Sequence, residues 1–321
     1  MKFRSIVACV LCLLLAVGSA AAVEVETISV TKETPSVNLA PIAENLELRT
    51  YRETSVGGTL RAVDPEGDLI TFRLLSEPGK GTVILDGDSF VYTPSPRKKG
   101  RDSFTYAASD ANGNVSAEAR VTIHIDKQSG KTCYADLTGD PIAYAALRLA
   151  EEGVFVGEQV GGSLCYCPEL QVSRGEFLAM CASLTGMQPL NGVTQTGFYD
   201  DAGMEVWLKP YVSAALMCGV VQGSVGDDGR IVFNPDQPIT AAEAAVMLNS
   251  FLLITDSVNT AAPADVPVWA ARAVGNLTAC DIYLPSFRSG LPLTRGDAAL
   301  MLSDAMDVCA QRGKSIRKIW A

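Results

Sequence analysis

A helix-start signature that recurs three times in the C-terminal half constrains this chain more than any other feature. The copies read Ser173-Arg174-Gly175-Glu176, Thr240-Ala241-Ala242-Glu243 and Thr294-Arg295-Gly296-Asp297. Each places a hydroxyl side chain three residues before an acid, the spacing of a capping box, in which each side chain accepts a hydrogen bond from the other residue's amide. The pattern assigns helix-capping roles to six residues: Ser173, Glu176, Thr240, Glu243, Thr294 and Asp297. Aspartate is shorter than glutamate, so the third box is expected to be imperfect.

The same apolar spacing follows each signature. Apolar side chains recur at i, i+3, i+4 and i+7, the pattern of an amphipathic helix. They are Phe177, Met180, Cys181 and Leu184, then Ala244, Met247, Leu248 and Phe251, then Ala298, Met301, Leu302 and Ala305. The chain therefore predicts an all-α C-terminal domain built from three repeats.

A second helix is predicted before each signature. In the middle repeat it runs from about Trp207 to Cys218 and ends at Gly219, a plausible C-cap. One face of this helix is expected to hold Trp207, Tyr211, Ala214, Ala215 and Cys218. The third repeat aligns through Trp269, with Asp281 at the glycine position. The first aligns through Gly153, which places Pro141 at the tryptophan position.

Residues 37–127 have the period of β-strands. Short runs of alternating apolar residues are separated by turn residues, as in residues 69–74, 82–85, 90–92, 103–106 and 121–125. This spacing predicts a seven-strand sandwich of about 90 residues. His124, the one histidine, alternates with Ile123 and Ile125 and is expected to face outward. A polar linker at 128–132 separates the two halves.

The ends of the chain read as targeting and tail segments. Residues 1–22 combine Lys2 and Arg4, an apolar run and a small-residue cleavage site, which indicates a signal peptide. The apolar run is too short for a membrane helix, and the position of Cys9 disfavours a lipoprotein. The most apolar later segment, residues 241–254, is also too short to span a bilayer. The basic tail at 310–321 is expected to be solvated and frayed.

Charge and cysteine content narrow the partners. A net charge of −10 argues against nucleic acid, because phosphate binding needs a basic face. Export would allow disulfides among the seven cysteines that follow the signal peptide, with at least one thiol left over and the pairing open. These are Cys133, Cys165, Cys167, Cys181, Cys218, Cys280 and Cys309. Disulfides are preferred to zinc, and no cofactor is expected.

An acidic cluster near residue 66 allows two interpretations. Asp64, Glu66 and Asp68 could supply oxygen ligands to calcium. The same residues, with Pro65 and Gly67, are also ordinary turn chemistry between two strands. The turn is the preferred interpretation, and calcium stays a weak candidate.

The β-rich segment resembles the bacterial cadherin-like, immunoglobulin-like modules of surface proteins. The resemblance rests on residues 40–43, 62–68, 78–83, 90–94 and 100–106. It covers one module and implies a spacer or adhesive role rather than catalysis.

The helical half resembles S-layer-homology domains. The middle repeat matches best, through residues 198–200, Trp207, Tyr211, 219–223, 233–235 and 239–243. The resemblance spans about 133–309 and gives repeats at 133–190, 197–254 and 263–309. It implies a pseudo-threefold arrangement whose grooves bind a secondary cell-wall polysaccharide, often an anionic one. Three departures stand out: the cap motif lacks arginine at Ala241, the first repeat lacks tryptophan, and the third lacks its glycine.

The arginines of the cap motif are the leading ligand candidates. A cation in the first helical turn opposes the helix dipole, so Arg174 and Arg295 need another explanation. They could hold a carboxylate or phosphate beside the helix N-terminus, or they could pair with nearby acids. Trp207 and Trp269 are read more readily as core than as stacking platforms. Asp200 and Asp265 could cap helices or meet a glycan, as could Thr240 and Glu243.

These patterns favour a non-catalytic, exported surface protein held to the cell wall or S-layer by its repeats. The alternative is an adhesin whose sandwich binds a protein or glycan, with the repeats as anchor only. No common hydrolase or nucleotide-binding motif is present, and one histidine disfavours histidine-dependent triads. A carboxylate glycosidase leaves no sequence signature, but neither half has the usual pattern of such folds.

Overall fold

The computed structural model describes residues 38–226, 228–255, 265–285, 291–311, 313 and 315–320. The predicted signal peptide at residues 1–22 lies outside these residues, as do positions 286–290 of the predicted third repeat. Within the described residues, no helix is both long and apolar enough to cross a membrane.

The N-terminal part is a β-sandwich, and we call residues 39–126 the sandwich. Its strands are β1 (Ile42–Ala43), β2 (Leu46–Tyr51), β3 (Val56–Thr59), β4 (Ala62–Val63), β5 (Thr71–Ser76), β6 (Gly81–Asp86), β7 (Ser89–Pro94), β8 (Gly100–Ser109) and β9 (Ala119–Asp126). One sheet has the order β2-β9-β8-β5 and the other β3-β7-β6, while β1 pairs with β4 alone. The two main sheets thus hold the predicted seven strands. Only the β2–β9 pairing is parallel among the described strands.

Alternation along the strands builds the sandwich core. In β9, Val121, Ile123 and Ile125 are buried, and the residues between them face outward. His124 faces outward as predicted, and its ring lies 2.6 Å from a carboxylate oxygen of Glu47 on β2. Leu69 does not belong to a strand, because β5 begins at Thr71; its side chain is 85% exposed.

The C-terminal part carries six described helices, and we call residues 133–320 the helical domain. The helices are α1 (Ala143–Glu151), α2 (Arg174–Thr185), α3 (Lys209–Met217), α4 (Ala241–Phe251), α5 (Ala271–Thr278) and α6 (Arg295–Gln311). A hairpin of β10 (Glu158–Val160) and β11 (Ser163–Cys165) follows α1, and one of β12 (Ser224–Val225) and β13 (Ile231–Val232) follows α3. These hairpins are too short to leave an alternating pattern in the sequence.

The three capping pairs hold the starts of α2, α4 and α6. Ser173 accepts from the amide of Glu176 while Glu176 accepts from that of Ser173, and Thr240 and Glu243 do the same. Asp297 also reaches Thr294, with its carboxylate 3.2 Å from the Thr294 amide and 2.7 Å from the hydroxyl. All twelve apolar residues of the three predicted stripes are buried. They form one continuous core across the helical domain.

The residues before these caps form a closed ring. The amide of Val172 donates to Leu293 O, the amide of Leu293 to Ile239 O, and the amide of Ile239 to Val172 O. The N···O distances are 2.9, 2.7 and 3.0 Å, and all three side chains are buried. We call α1 with α2, α3 with α4, and α5 with α6 the three helix pairs, in chain order. Each contributes one segment to the ring, so no pair can leave without breaking two of its bonds.

Two expectations for the helical domain are wrong. Helix α3 begins at Lys209, so Trp207 lies before it, 53% exposed, and Cys218 is exposed beyond its end. The tail also packs: Ile316 is buried, and the indole N–H of Trp320 donates to Phe251 O over 2.8 Å.

Candidate ligand-binding junctions

The N-termini of α2 and α6 each rest on a loop of another helix pair. At α2, the amides of Arg174 and Gly175 donate to Gln237 O and Pro235 O, over 2.9 and 2.8 Å. We call this contact the first junction. The next two amides of α2 donate to Ser173. No open amide is left in the first turn, so the expected contribution of the helix terminus to anion binding is absent here.

The N-terminus of α6 repeats this arrangement. The amides of Arg295 and Gly296 donate to Leu170 O and Pro168 O, over 2.8 and 2.9 Å. We call this contact the third junction. At α4, the described contact is a bridge between Thr240 and Pro292. We call the surroundings of Ala241 at this helix start the second junction.

Arg174 is held in the first junction by an acid and a ring. One guanidinium nitrogen lies 3.2 Å from Glu243 Oε1, and the guanidinium carbon lies 5.3 Å from the Phe233 ring centroid. The side chain is only 18% exposed. Burial lowers the pKa of Arg174, which the charge of Glu243 opposes. Since Glu243 Oε2 bonds Thr240, its two oxygens divide between the cap and the arginine.

Arg295 is held in the third junction in a similar way. Its guanidinium pairs with Glu158 and lies 5.0 Å from the ring centroid of Phe155. Both candidate arginines thus pair with an acid, which was the alternative to a ligand role. A guanidinium has five N–H donors, and the pairing with one acid uses only part of them. The ligand role of these arginines therefore stays a prediction.

The tryptophans are exposed, and the interpretation of them as core is wrong. Trp207 is 53% and Trp269 61% exposed. Each precedes a residue that is buried, Leu208 and Ala270 respectively. A Cβ placed on Gly175 would lie 2.5 Å from Leu208 Cδ2, so the sequence neighbours of Arg174 and Trp207 touch. Arg174 and Trp207 are thus each one residue away from a contact at the first junction.

Two aspartates shape the loops beneath the arginines. Asp200 accepts from the amides of Phe233 and Asn234, over 3.0 and 2.7 Å. Asp136 accepts from Tyr166 and Cys167 in the same manner. Both carboxylates are used to hold backbone. Asp136 was missed as a site residue, although its sequence context matches that of Asp200. Asp265 is exposed and adjoins positions outside the described residues.

The three junctions differ in their side chains. The first has Arg174, with Trp207 as the residue before Leu208. At the aligned sequence positions, the second has Ala241 in place of arginine and keeps Trp269. The third has Arg295, but Pro141 stands before Ile142, whose Cδ1 lies 3.5 Å from a Cβ placed on Gly296. Ile142 is thus the counterpart of Leu208. Only the first junction combines the two side chains suited to an acidic sugar.

The acidic cluster of the sandwich is built as a turn. Asp64 Oδ1 accepts from the amides of Glu66 and Asp68, both over 3.0 Å. Glu66 accepts from the Leu39 amide, and Asp68 from the Asn112 side chain. In the part of the chain that the structure describes, no three potential metal ligands are grouped to hold an ion.

Five of the described cysteines do not form the expected disulfides. Cys133, Cys165, Cys167, Cys181 and Cys218 carry free thiols. Cys181 lies in the helical core, and burial raises its pKa, so it serves there as a small apolar side chain.

Known proteins resemble parts of this chain, and one family model matches the sandwich. Residues 38–124 match the family described as a bacterial Ig domain. The Surface-layer 125 kDa protein of Lysinibacillus sphaericus is 26% identical over 151 residues, 44% of this chain and 12% of that protein. Protein GAMETE EXPRESSED 2 of Arabidopsis thaliana is 31% identical over 97 residues, 30% of this chain and 10% of that protein. The chain spans about a tenth of these relatives' length.

Solved structures match part of the chain. An SrpA adhesin mutant from Streptococcus sanguinis has a TM-score of 0.24 and 20% identity, covering 30% of this chain and 64% of that one. An endo-fucoidan hydrolase from glycoside hydrolase family 107 has a TM-score of 0.25 and 19% identity, covering 32% of this chain and 16% of that one.

Proposed function

We propose that this chain is a non-catalytic surface protein whose helical domain holds an anionic wall polysaccharide, exposing the sandwich. The observation that carries the proposal is the first junction, where Arg174 is nearly buried and Gly175 meets Leu208, the residue after the exposed Trp207. Arginine recognises carboxylate or phosphate through paired donors, and an indole stacks on the apolar face of a sugar ring. Similarity to a bacterial Ig domain and to a surface-layer protein supports a place at the cell surface.

The proposal requires an acidic protein to bind an acidic polymer. The net charge of −10 would repel such a polymer at long range, but salt screens exposed charges beyond about 10 Å. Within the first junction, binding would depend on local donors. Glu243 pre-orients Arg174 while using one of its donors, and Phe233 supports the guanidinium from beneath.

Co-sedimentation of the full chain with purified sacculi tests the proposal. We expect the chain to pellet with intact sacculi and to stay in solution once wall polysaccharide has been extracted from them. Arg174→Ala should weaken pelleting about tenfold, the size of a lost charge-assisted contact. Arg120→Ala, which removes a charge from the sandwich, is the matched control and should bind as the parent does. Equal pelleting with extracted sacculi would refute the polysaccharide as ligand.

A second candidate function is adhesion through the sandwich. A cleft of about 1040 Å³ lies along β4 and β5 and extends to Asp281 of the helical domain. Leu69 and Val63 on its rim are 85% and 59% exposed, unusual for large apolar side chains on one small surface. A glycan array probed with the full chain and with Leu69→Asp tests this. Signals that vanish in the variant while sacculus binding persists would support adhesion; identical patterns would refute it.

A further inference from the structure

The sandwich is packed directly on the helical domain through β3. The amide of Gly57 donates to Pro141 O over 3.1 Å. A Cβ placed on Gly57 would lie 2.9 Å from the Cβ of Pro141, closer than such atoms normally approach, while its next neighbour within the sandwich, Phe90 O, is 3.8 Å away. The side chain is therefore excluded by the helical domain and not by the sandwich itself.

A second contact lies beside the first and involves both cores. The rings of Tyr51 and Tyr144 meet edge to face, with centroids 5.0 Å apart. Tyr51 of the sandwich packs against the helical core, and Tyr144 of α1 packs against the sandwich core. Glu151 accepts from the Tyr51 hydroxyl and from the amides of Ser129 and Gly130. The predicted linker is thus bonded to the helix that it precedes.

A third contact reaches the third helix pair. Arg61 of the sandwich lies 2.7 Å from Asp281, although both side chains are largely exposed, 46% and 71%. Such an ion pair contributes little energy, but it restricts rotation of the sandwich about the first two contacts.

The position of Pro141 gives these contacts a functional meaning. Pro141 precedes Ile142 at the third junction as Trp207 precedes Leu208 at the first. The sandwich therefore abuts the place where the first junction presents its indole. A tryptophan at 141 would begin at a Cβ already in contact with Gly57.

From this geometry we infer that the sandwich forms a fixed wall of the third junction and that the polysaccharide is held at the first junction alone. The third junction lacks an indole and has the sandwich beside it; the second has an indole but lacks arginine. The first claim, that the sandwich is packed against the third junction, is the docking half and stands by itself. The second claim, that the polysaccharide is held at the first junction alone, is the ligand half and rests on the proposed function.

Hydrogen exchange on the full chain tests the docking half. Gly57→Leu should separate the sandwich from Pro141 and speed exchange of the Ser129 and Gly130 amides about tenfold or more. Thr59→Leu adds the same side chain two residues along β3, where the residue is exposed, and should leave exchange unchanged. Glu151→Ala, which removes the acceptor itself, gives the exchange rate expected without docking. Parent-like exchange in Gly57→Leu would overturn the fixed wall.

Calorimetric titration tests the ligand half, with polysaccharide released from sacculi as the probe. The full chain should bind at one site. Trp207→Ala and Arg174→Lys should each weaken affinity about tenfold or more, as loss of a central contact does. Trp269→Ala and Arg295→Lys, identical changes at the other junctions, should shift it by less than about twofold.

The two hypotheses fail differently. An Arg295 or Trp269 variant as weak as its first-junction counterpart would overturn the single site and leave the proposed function standing. A parent chain that binds no polysaccharide would overturn the proposed function and the ligand half together, while the exchange experiment would still decide the docking half.

Discussion

Tyr51 of the sandwich donates its hydroxyl hydrogen to Glu151 at the end of α1, across an O···O distance of 2.5 Å. The two residues are 100 positions apart in the chain. The other carboxylate oxygen accepts from the amides of Ser129 and Gly130, over 2.7 and 2.9 Å. Burial would raise the pKa of Glu151, but these hydrogen bonds outweigh it and hold the pKa below its ordinary value of 4.5.

Glu151→Gln should lower the free energy of unfolding by about 1 to 2 kcal/mol at pH 7, because the amide nitrogen cannot accept from Tyr51. Because the pKa of Glu151 is lower in the folded than in the unfolded state, its ionisation stabilises the fold above pH 4.5. This stability is lost as the pH falls through the folded pKa. The difference between parent and variant, followed by urea denaturation, should shrink below that pH. Glu118→Gln, an exposed change on the sandwich, is the control. A pH-independent difference would contradict the charged hydrogen bond.

Asp304 on α6 should act in the opposite direction. Burial raises its pKa to about 6, with help from the charge of Asp307, although the Tyr283 amide donates to it over 2.8 Å. A raised carboxylate pKa costs stability as pH rises from the unfolded value of 3.8 through 6. Asp304→Asn should therefore stabilise the protein by about 1 to 2 kcal/mol at pH 7.5 and by nothing near pH 3.5. Equal stabilisation at both pH values would rule out the ionisation as the cause.

Glu243 serves both a helix cap and Arg174, and a double-mutant cycle can separate these roles. We expect Glu243→Gln to retain the cap through its amide oxygen and to lose the ion pair. The coupling energy between Arg174→Ala and Glu243→Gln should be about 0.5 to 1 kcal/mol in thermal unfolding, since both groups are partly exposed. Glu176→Gln in place of Glu243→Gln is the matched control. If Glu176→Gln showed a coupling energy to Arg174→Ala of the same size, the ion pair between Arg174 and Glu243 would not be specific.

The thiols should react in the order of their exposure. Cys133 and Cys218 are exposed, Cys165 and Cys167 are half-buried, and Cys181 is buried. Burial and nearby acids raise the pKa values of Cys165 and Cys167, which lowers their thiolate fraction. Maleimide labelling followed by mass spectrometry should show Cys133 and Cys218 modified in the native state, and Cys181 modified only after unfolding. Labelling that requires prior reduction would show that disulfides form.

Local patterns in the sequence were enough to predict the helices and most of the strands. The capping pairs and the stripes that follow them lie within eleven residues of each other, so spacing alone reveals them. Trp207 was misplaced because α3 starts two residues after it, and an apolar residue just before a helix fits the same period as one inside it. The indole of Trp207 is exposed because the residue lies before the first turn of α3, which packs against the core.

Contacts between distant segments could not be predicted from spacing. Nothing local marks Phe233 as the ring beneath Arg174, or Glu158 as the acid beside Arg295, because both pairs depend on which helix pair meets which. Gly57 is similar. Its missing side chain is explained only by Pro141, in the helical domain.

The bonds among Val172, Ile239 and Leu293 close on themselves, and this limits how the domain can evolve. An open solenoid gains or loses a unit at either end with little disturbance to the rest. Here each of the three segments before the caps is already bonded to both of the others. A duplicated unit would therefore have no free segment to bond to, and deletion of one unit would leave each of the other two without one partner. Variety among such chains is therefore expected from changing single side chains at the junctions, or from adding a module at the rim, rather than from changing the number of units.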